Sequence, residues 1–389
     1  MNETWCSLAW NHHFIGPGGN CKPCCRFKLK DVPDDHKLKN AHINELFFSE
    51  FMTDIRAKML EGIRIPGCAK CYEEQDSGKR ASLREIYNNH EFQPLRVDIS
   101  KPKIVFLESA FSNVCDLQCV MCDPYFSTSW GKQDLTEIDD LVRPHKKVTI
   151  DIDSIKSIIP DVLHFKFTGG EPLLIPEYQR ILEEREEHGG LENVFLNYST
   201  NLMRLPNRRL FDIWKKVKFI ELATSFDGTG KVIEYVRYPS NWDTVSWNLI
   251  TYMGWSEQMD LRVGMRATIM PYNVLNLIDM QNWWIEKINK FYRVKFNPKS
   301  WVNPTHVAQP AHLTLKVLPI EAKRIIRERL WDKGHKYKFR QSFNHLCNYM
   351  DSEDHTHLLD DFKRYTGVMD KRGIAFEDFC DEELYNAIF

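Results

Sequence analysis

Three cysteines stand at Cys115, Cys119 and Cys122, separated by three and then by two residues. Three thiolates at that spacing can hold three irons of a 4Fe–4S cluster and leave the fourth iron without a protein ligand. An open iron is where a substrate or cofactor binds, by the reasoning that separates catalytic from structural metal sites. The competing readings are a chance grouping and a zinc site with a distant fourth ligand. Further along, Phe167-Thr168-Gly169-Gly170-Glu171-Pro172 places two glycines in sequence, where a ligand can approach the backbone closely. Alone, such a motif marks a strand-to-helix turn. One strand after the cysteine triplet, it points to a bound ligand.

The cysteines are clustered elsewhere too. Of eleven, Cys6, Cys21, Cys24, Cys25, Cys68 and Cys71 lie near the start, while Cys347 and Cys380 stand alone. The odd number argues against a disulfide framework and for metal or thiol chemistry. Cys21-x-x-Cys24 and Cys68-x-x-Cys71 would form a reasonable four-thiolate zinc site, and iron–sulfur coordination competes with it. Cys347 and Cys380 read as small buried residues. His12-His13 and the His355/His357 pair read as solvated rather than as metal ligands.

The elements that must position these groups follow from periodicity. Residues 1–95 are irregular and rich in Cys, Gly, Pro and His, with one helical stretch from Asn44 to Glu61, and read as a coreless segment that a metal centre could hold together. From about residue 96 to 300, strands alternate with helices: Ile104–Leu107, Leu163–Phe167, Val194–Ser199, Phe219–Ser225, Leu261–Ile269 and Val294–Phe296 are the expected strands. That alternation predicts an α/β domain with a parallel sheet, a partial (β/α)6 TIM-like barrel. Leu261, Val263, Met265, Ala267 and Ile269 form one strand face, and Arg262, Gly264, Arg266 and Thr268 the other. Polar faces of this kind, with Lys166 among them, point to a charged ligand rather than the apolar filling of a closed barrel. Residues 301–389 read as a mixed, partly helical C-terminal extension, with a helix from Pro319 to Leu330.

Taken together, these motifs resemble the radical S-adenosylmethionine (SAM) enzymes over about residues 103–300. The resemblance rests on Cys115, Cys119 and Cys122, on Gly169-Gly170-Glu171, on Tyr198-Ser199-Thr200-Asn201 and on Ser225-Phe226-Asp227-Gly228. Met121 replaces the usual aromatic residue before the last cysteine, and Asp116 the frequent Asn after the first. Neither is a ligand. The resemblance implies that SAM chelates the open iron, with Gly169, Gly170 and Glu171 at its amino end and Ser199 and Asn201 near the ribose. Ser225, Asp227 and Arg266 complete the implied cofactor site. One electron from the cluster would cleave SAM, and the 5′-deoxyadenosyl radical would take a hydrogen from a substrate.

The N-terminal segment resembles the twitch/SPASM type of auxiliary-cluster domain. Cys6, Gly19, Cys24, Cys68 and Cys71 match that pattern, so a second 4Fe–4S cluster on Cys6, Cys24, Cys68 and Cys71 is implied, with Cys21 or Cys25 as alternatives to Cys24. Such domains usually follow the barrel, and here the segment precedes it. The Met369-Asp-Lys-Arg-Gly373 stretch resembles closing segments of relatives with an N-terminal twitch domain. Many such relatives modify peptides or proteins, so a peptide is the leading substrate class and a sugar or amino acid the alternative. An electron donor such as flavodoxin or ferredoxin is the implied partner.

Composition bounds the rest. Lys+Arg total 52 against 54 Asp+Glu, a formal charge of −2 over 389 residues. That balance gives no support to a nucleic-acid substrate. No apolar run approaches a membrane span, and the first residues lack a secretory pattern, so the expected compartment is the cytoplasm. The reading from another class is a non-catalytic iron–sulfur or zinc-binding interaction protein.

Overall fold

A computed structural model describes residues 3–76, 82–89, 98–144, 148, 150–288, 302–334 and 340–389. Eight strands can be followed: β1 His12–Ile15, β2 Cys21–Lys22, β3 Phe106–Ser109, β4 His164–Phe167, β5 Phe195–Thr200, β6 Phe219–Ser225, β7 Leu261–Ile269 and β8 Val302–His306. Their order is β2-β1-β3-β4-β5-β6-β7-β8, an open and mostly parallel sheet. β1 runs parallel to β3 and β7 parallel to β8, and β2 is antiparallel to β1. The fold is mixed α/β, as the strand–helix alternation predicts. The stretch expected as a sixth strand, 294–296, lies outside the described residues. β8 carries Pro304, which a strand at the end of the order tolerates because one of its edges needs no ladder donor.

The chain divides into two compact units. Unit 1 comprises Met1–Asn113, Lys147–Tyr198 and Pro206–Ile220, and unit 2 the remainder. In unit 1, β4 is followed by the helix Pro176–Gly189, which starts on a proline and ends at Gly190. It buries Tyr178, Ile181 and Leu182, as well as Arg185, whose Nε donates to the Val162 carbonyl at 3.0 Å. Tyr178 stacks on Phe167 with ring centroids 4.2 Å apart. Such a pair contributes about 0.5–1.5 kcal/mol beyond its buried area.

The N-terminal segment is not coreless. Trp10, Ile15, Phe47, Met52 and Ile55 are buried, and β1 extends the sheet from β3. The expected single helix is two, Ile43–Phe47 and Glu50–Glu61. Ser49 caps the second by accepting the Met52 N–H at 3.3 Å, and an N-cap residue has non-helical backbone that breaks the run.

In unit 2, β7 alternates as expected, with Leu261, Val263, Met265, Ala267 and Ile269 buried and Arg262 and Arg266 exposed. Trp242–Trp255 and Leu277–Ile288 are its long helices before residue 300, and Ile320–Gly334 and Leu359–Asp370 lie after it. No helix among the described residues is long and apolar enough to cross a membrane.

Candidate active site

The loop carrying Cys115, Cys119 and Cys122 belongs to unit 2 and has no regular secondary structure, so its backbone groups must find partners elsewhere. The Gln118 and Val120 amides donate to the carbonyls of Tyr238 (2.6 Å) and Val236 (2.9 Å). The Cys115 carbonyl accepts the Ser129 hydroxyl at 2.9 Å, and the Leu117 carbonyl that of Ser127 at 2.6 Å. Two residues from the C-terminal extension complete the brace. Tyr365 donates its hydroxyl to the Val120 carbonyl at 2.8 Å, and Arg372 its Nη1 to the Gln118 carbonyl at 2.8 Å. Arg372 also lies over the Trp130 ring, 4.7 Å from its centroid.

The sulfurs have polar donors of their own. Asn201 places its amide nitrogen 3.9 Å from the Cys115 sulfur while donating to the Asp116 carboxylate at 2.8 Å. Arg237 points Nη1 at the Cys119 sulfur from 3.5 Å. Its Nε and Nη2 both reach one oxygen of Asp227 at 2.6 Å, and the other oxygen accepts the Thr268 N–H at 2.6 Å. Asp227 is fully buried. Desolvation alone lowers the Arg237 pKa, but the Asp227 carboxylate and the Cys119 and Cys122 sulfurs raise it above its ordinary value, so the guanidinium stays charged. Cys119 is buried, and Cys115 and Cys122 are half-buried. Three thiols in one loop, two of them facing hydrogen-bond donors, form a donor set suited to a cluster with thiolate ligands.

Other residues of the expected cofactor site are placed as follows. Gly169 in unit 1 has φ +115°, and a Cβ there would lie 2.5 Å from the Ser112 carbonyl oxygen, so no other residue fits without a shift. The Gly170 N–H donates to that same carbonyl at 2.9 Å. Glu171 is buried and its Oε1 accepts the Leu173 N–H at 3.1 Å. In unit 2, Ser225 is half-buried. Arg262 and Arg266 both face Glu221, at 3.0 and 3.7 Å. Lys166, in unit 1, pairs with Glu108 at 2.7 Å. The cations that the sequence offered to an anionic ligand are thus already matched by carboxylates.

In unit 1 the N-terminal thiols sort into three environments. Burial and then the neighbouring thiols of Cys25, Cys6 and Cys68 raise the Cys24 pKa, Cys6 and Cys71 raise that of Cys68, and Cys71 raises that of Cys6. Burial, then these neighbours, pushes Cys68 up to about 12. Burial likewise pushes Cys6 up to about 12, against backbone hydrogen bonds. Gly67 lets the two thiol-bearing turns meet. A Cβ there would fall 2.2 Å from the Phe27 ring, and the Gly67 carbonyl accepts the Lys28 N–H at 3.0 Å. Cys25 instead faces Glu108, Lys166 and Lys22, and Cys21 is buried against the Gly19 carbonyl. Cys6 and Cys71 are buried and Cys24 and Cys68 half-buried, and a cation among such thiols would favour their thiolate forms, so the set fits a metal centre.

His12 and His13 are not solvated: both are fully buried. His12 bonds the Pro23 carbonyl through Nδ1 at 2.8 Å and faces Glu108 at 3.5 Å. Burial drives the His13 pKa well below its ordinary value, so the ring is neutral. Cys347 and Cys380 are half-buried. Sequence reasoning missed Arg237, which carries no local signal as a lone arginine after a short apolar helix. Arg372 had one, since the Met369–Gly373 stretch was already marked.

Residues 109–248 match the model of the Radical SAM superfamily. The chain therefore carries a radical SAM domain, an enzyme domain whose reaction here is unspecified. No curated protein matches the chain. Among solved structures, native anSMEcpe with bound AdoMet is similar at 14% identity, over 59% of this chain and 60% of that one, with a TM-score of 0.42. Streptococcus suis SuiB bound to precursor peptide SuiA is similar at 14% identity, over 78% and 64%, with a TM-score of 0.37. The radical S-adenosylmethionine methyltransferase TsrM from Kitasatospora setae, with cobalamin and a 4Fe–4S cluster bound, is similar at 11% identity, over 52% and 39%, with a TM-score of 0.34. The chain thus spans less than two thirds of the length of each.

Proposed function

We propose that this radical SAM domain works with a second iron–sulfur centre in the same chain, and that the substrate is a peptide or protein. The observation that carries the reading is the braced loop of Cys115, Cys119 and Cys122, with the Arg237 guanidinium 3.5 Å from the Cys119 sulfur. When bound, the cluster and SAM supply a 5′-deoxyadenosyl radical that removes a hydrogen atom from the substrate.

The chain's own residues hold and orient. Cys115, Cys119 and Cys122 are assigned as ligands to three irons. Gly169, Gly170 and Glu171 are assigned to the amino end of SAM, Ser199 and Asn201 to the ribose, and Ser225 and Arg266 to the remainder of the cofactor site. Asn201 also fixes the loop through Asp116. The peptide class follows from the resemblance of the cysteine-rich segment to twitch-type domains.

Cys6, Cys24, Cys68 and Cys71 are assigned to the second centre on the resemblance to twitch-type domains, with Cys25, which acts on Cys24, or Cys21 as the alternative to Cys24. A cluster is favoured over zinc because the radical SAM motif sits in the same chain.

The test is anaerobic purification with iron, sulfide and zinc measured per chain, followed by reduction with dithionite and SAM. About eight irons, little zinc and 5′-deoxyadenosine are expected. About four irons with one zinc would overturn the second cluster alone. Little iron and no nucleoside from reconstituted protein would overturn the proposal.

A further inference from the structure

A buried ion pair costs desolvation that its attraction often fails to repay. Asp227 and Arg237 form such a pair, with Asp227 fully buried and the Arg237 side chain 10% exposed. All three guanidinium nitrogens have a partner. Nε and Nη2 are spent on one carboxylate oxygen, and the remaining edge, Nη1, faces the Cys119 sulfur at 3.5 Å. The Thr268 N–H holds the other carboxylate oxygen at 2.6 Å, and the Asn273 side chain donates to the Asp227 carbonyl at 2.8 Å. Both Asp227 oxygens thus accept hydrogen bonds from the protein, and the carboxylate fixes the direction of Arg237.

Resting on the radical SAM reading, we infer that Arg237 is a positioning residue that sets how easily the cluster is reduced, through a charge-assisted hydrogen bond to the Cys119 sulfur, and that Asp227 moderates it. A reduced cluster carries one more negative charge than an oxidised one. A fixed cation at a ligand sulfur favours the reduced form, and a carboxylate behind that cation opposes it. In a buried site both effects are weakly screened. The two residues therefore act with opposite sign, which a purely structural role does not predict.

The test is a potentiometric titration followed by EPR, read on the signal that added SAM perturbs. Arg237→Gln should keep its iron and become harder to reduce. At a fixed potential, the ratio of reduced to oxidised cluster should fall about tenfold, or ~59 mV for a one-electron couple. Asp227→Asn should shift the ratio the other way by a smaller factor, and Arg237→Lys should restore most of the loss. If Arg237→Gln loses its cluster, the Asp227→Asn/Arg237→Gln double variant, which leaves no lone buried charge, is titrated instead and should still be harder to reduce. Unchanged midpoints, or shifts of the same sign in both single variants, overturn the inference. Wild-type protein without iron or 5′-deoxyadenosine overturns the radical SAM reading itself, so the two failures are distinguishable.

Discussion

The sulfurs of Cys115 and Cys119 meet an amide and a guanidinium, while desolvation and neighbouring thiols dominate the surroundings of Cys24 and Cys68. Arg84 acts on Cys6 and Cys68 from a distance, but its own Nη1 is spent on the Trp5 carbonyl. Hydrogen-bond donors at a sulfur stabilise added negative charge, whereas a dry shell of thiols opposes it. Under the proposed reading, the first set suits a centre that accepts and releases an electron next to an open ligand position, and the second suits one with thiolates on every side. The bracing differs as well. The first loop depends on residues 236–238, Tyr365 and Arg372, far away in sequence. The second depends on the close turn at Gly67 and Phe27.

The largest effect is expected from replacing Cys115, Cys119 and Cys122 together by Ala. About four irons per chain should be lost and 5′-deoxyadenosine formation abolished. Unchanged iron content would remove the distinction between the two centres altogether.

Replacing Cys68 and Cys71 by Ala should also remove about four irons, but leave SAM cleavage partly intact. Nucleoside yield per remaining iron is the measurement. Loss of all iron would show that the N-terminal centre holds the fold together rather than serving as a second site.

A smaller effect concerns the charge that unit 1 places away from its thiol set. Burial alone would raise the Glu108 pKa, but Lys166 and His12 more than offset it and hold it at about 2, against an ordinary 4.5. A carboxylate with a depressed folded pKa contributes stability above its unfolded pKa and loses it as pH falls through the folded one. The window is therefore from about pH 4.5 down to about 2, and the contribution above it is at most about 3 kcal/mol. Glu108→Gln should lower the urea midpoint at pH 7, and the gap from wild type should narrow toward pH 3. A gap independent of pH would mean that shape, not charge, is what Glu108 supplies.

Much of the fold was legible because strand periodicity is local. Phe219–Ser225 and Leu261–Ile269 coincide with β6 and β7, and Leu163–Phe167 differs from β4 by one residue. The first strand runs two residues later than its apolar stretch, since β3 continues through Glu108 and Ser109. Glu108 is polar yet buried, and only its partners on β1 and β4 make that tolerable. β1 went unread because His-His-Phe-Ile has no alternation to detect, and its burial comes from pairing with β3.

Sequence by itself determined which groups can do chemistry. The cysteine spacing is a property of a single loop, and Gly169 declares a backbone position that only glycine occupies without strain. Tertiary structure alone decided which charges act on those groups. It matched Lys166 and Arg262 with carboxylates and carried Arg237 to a sulfur 118 positions earlier in the chain. The physical reason is range. Ligand spacing and backbone conformation are set within a few residues, whereas compensation of a buried charge depends on whatever side chain the packed fold brings within hydrogen-bonding distance.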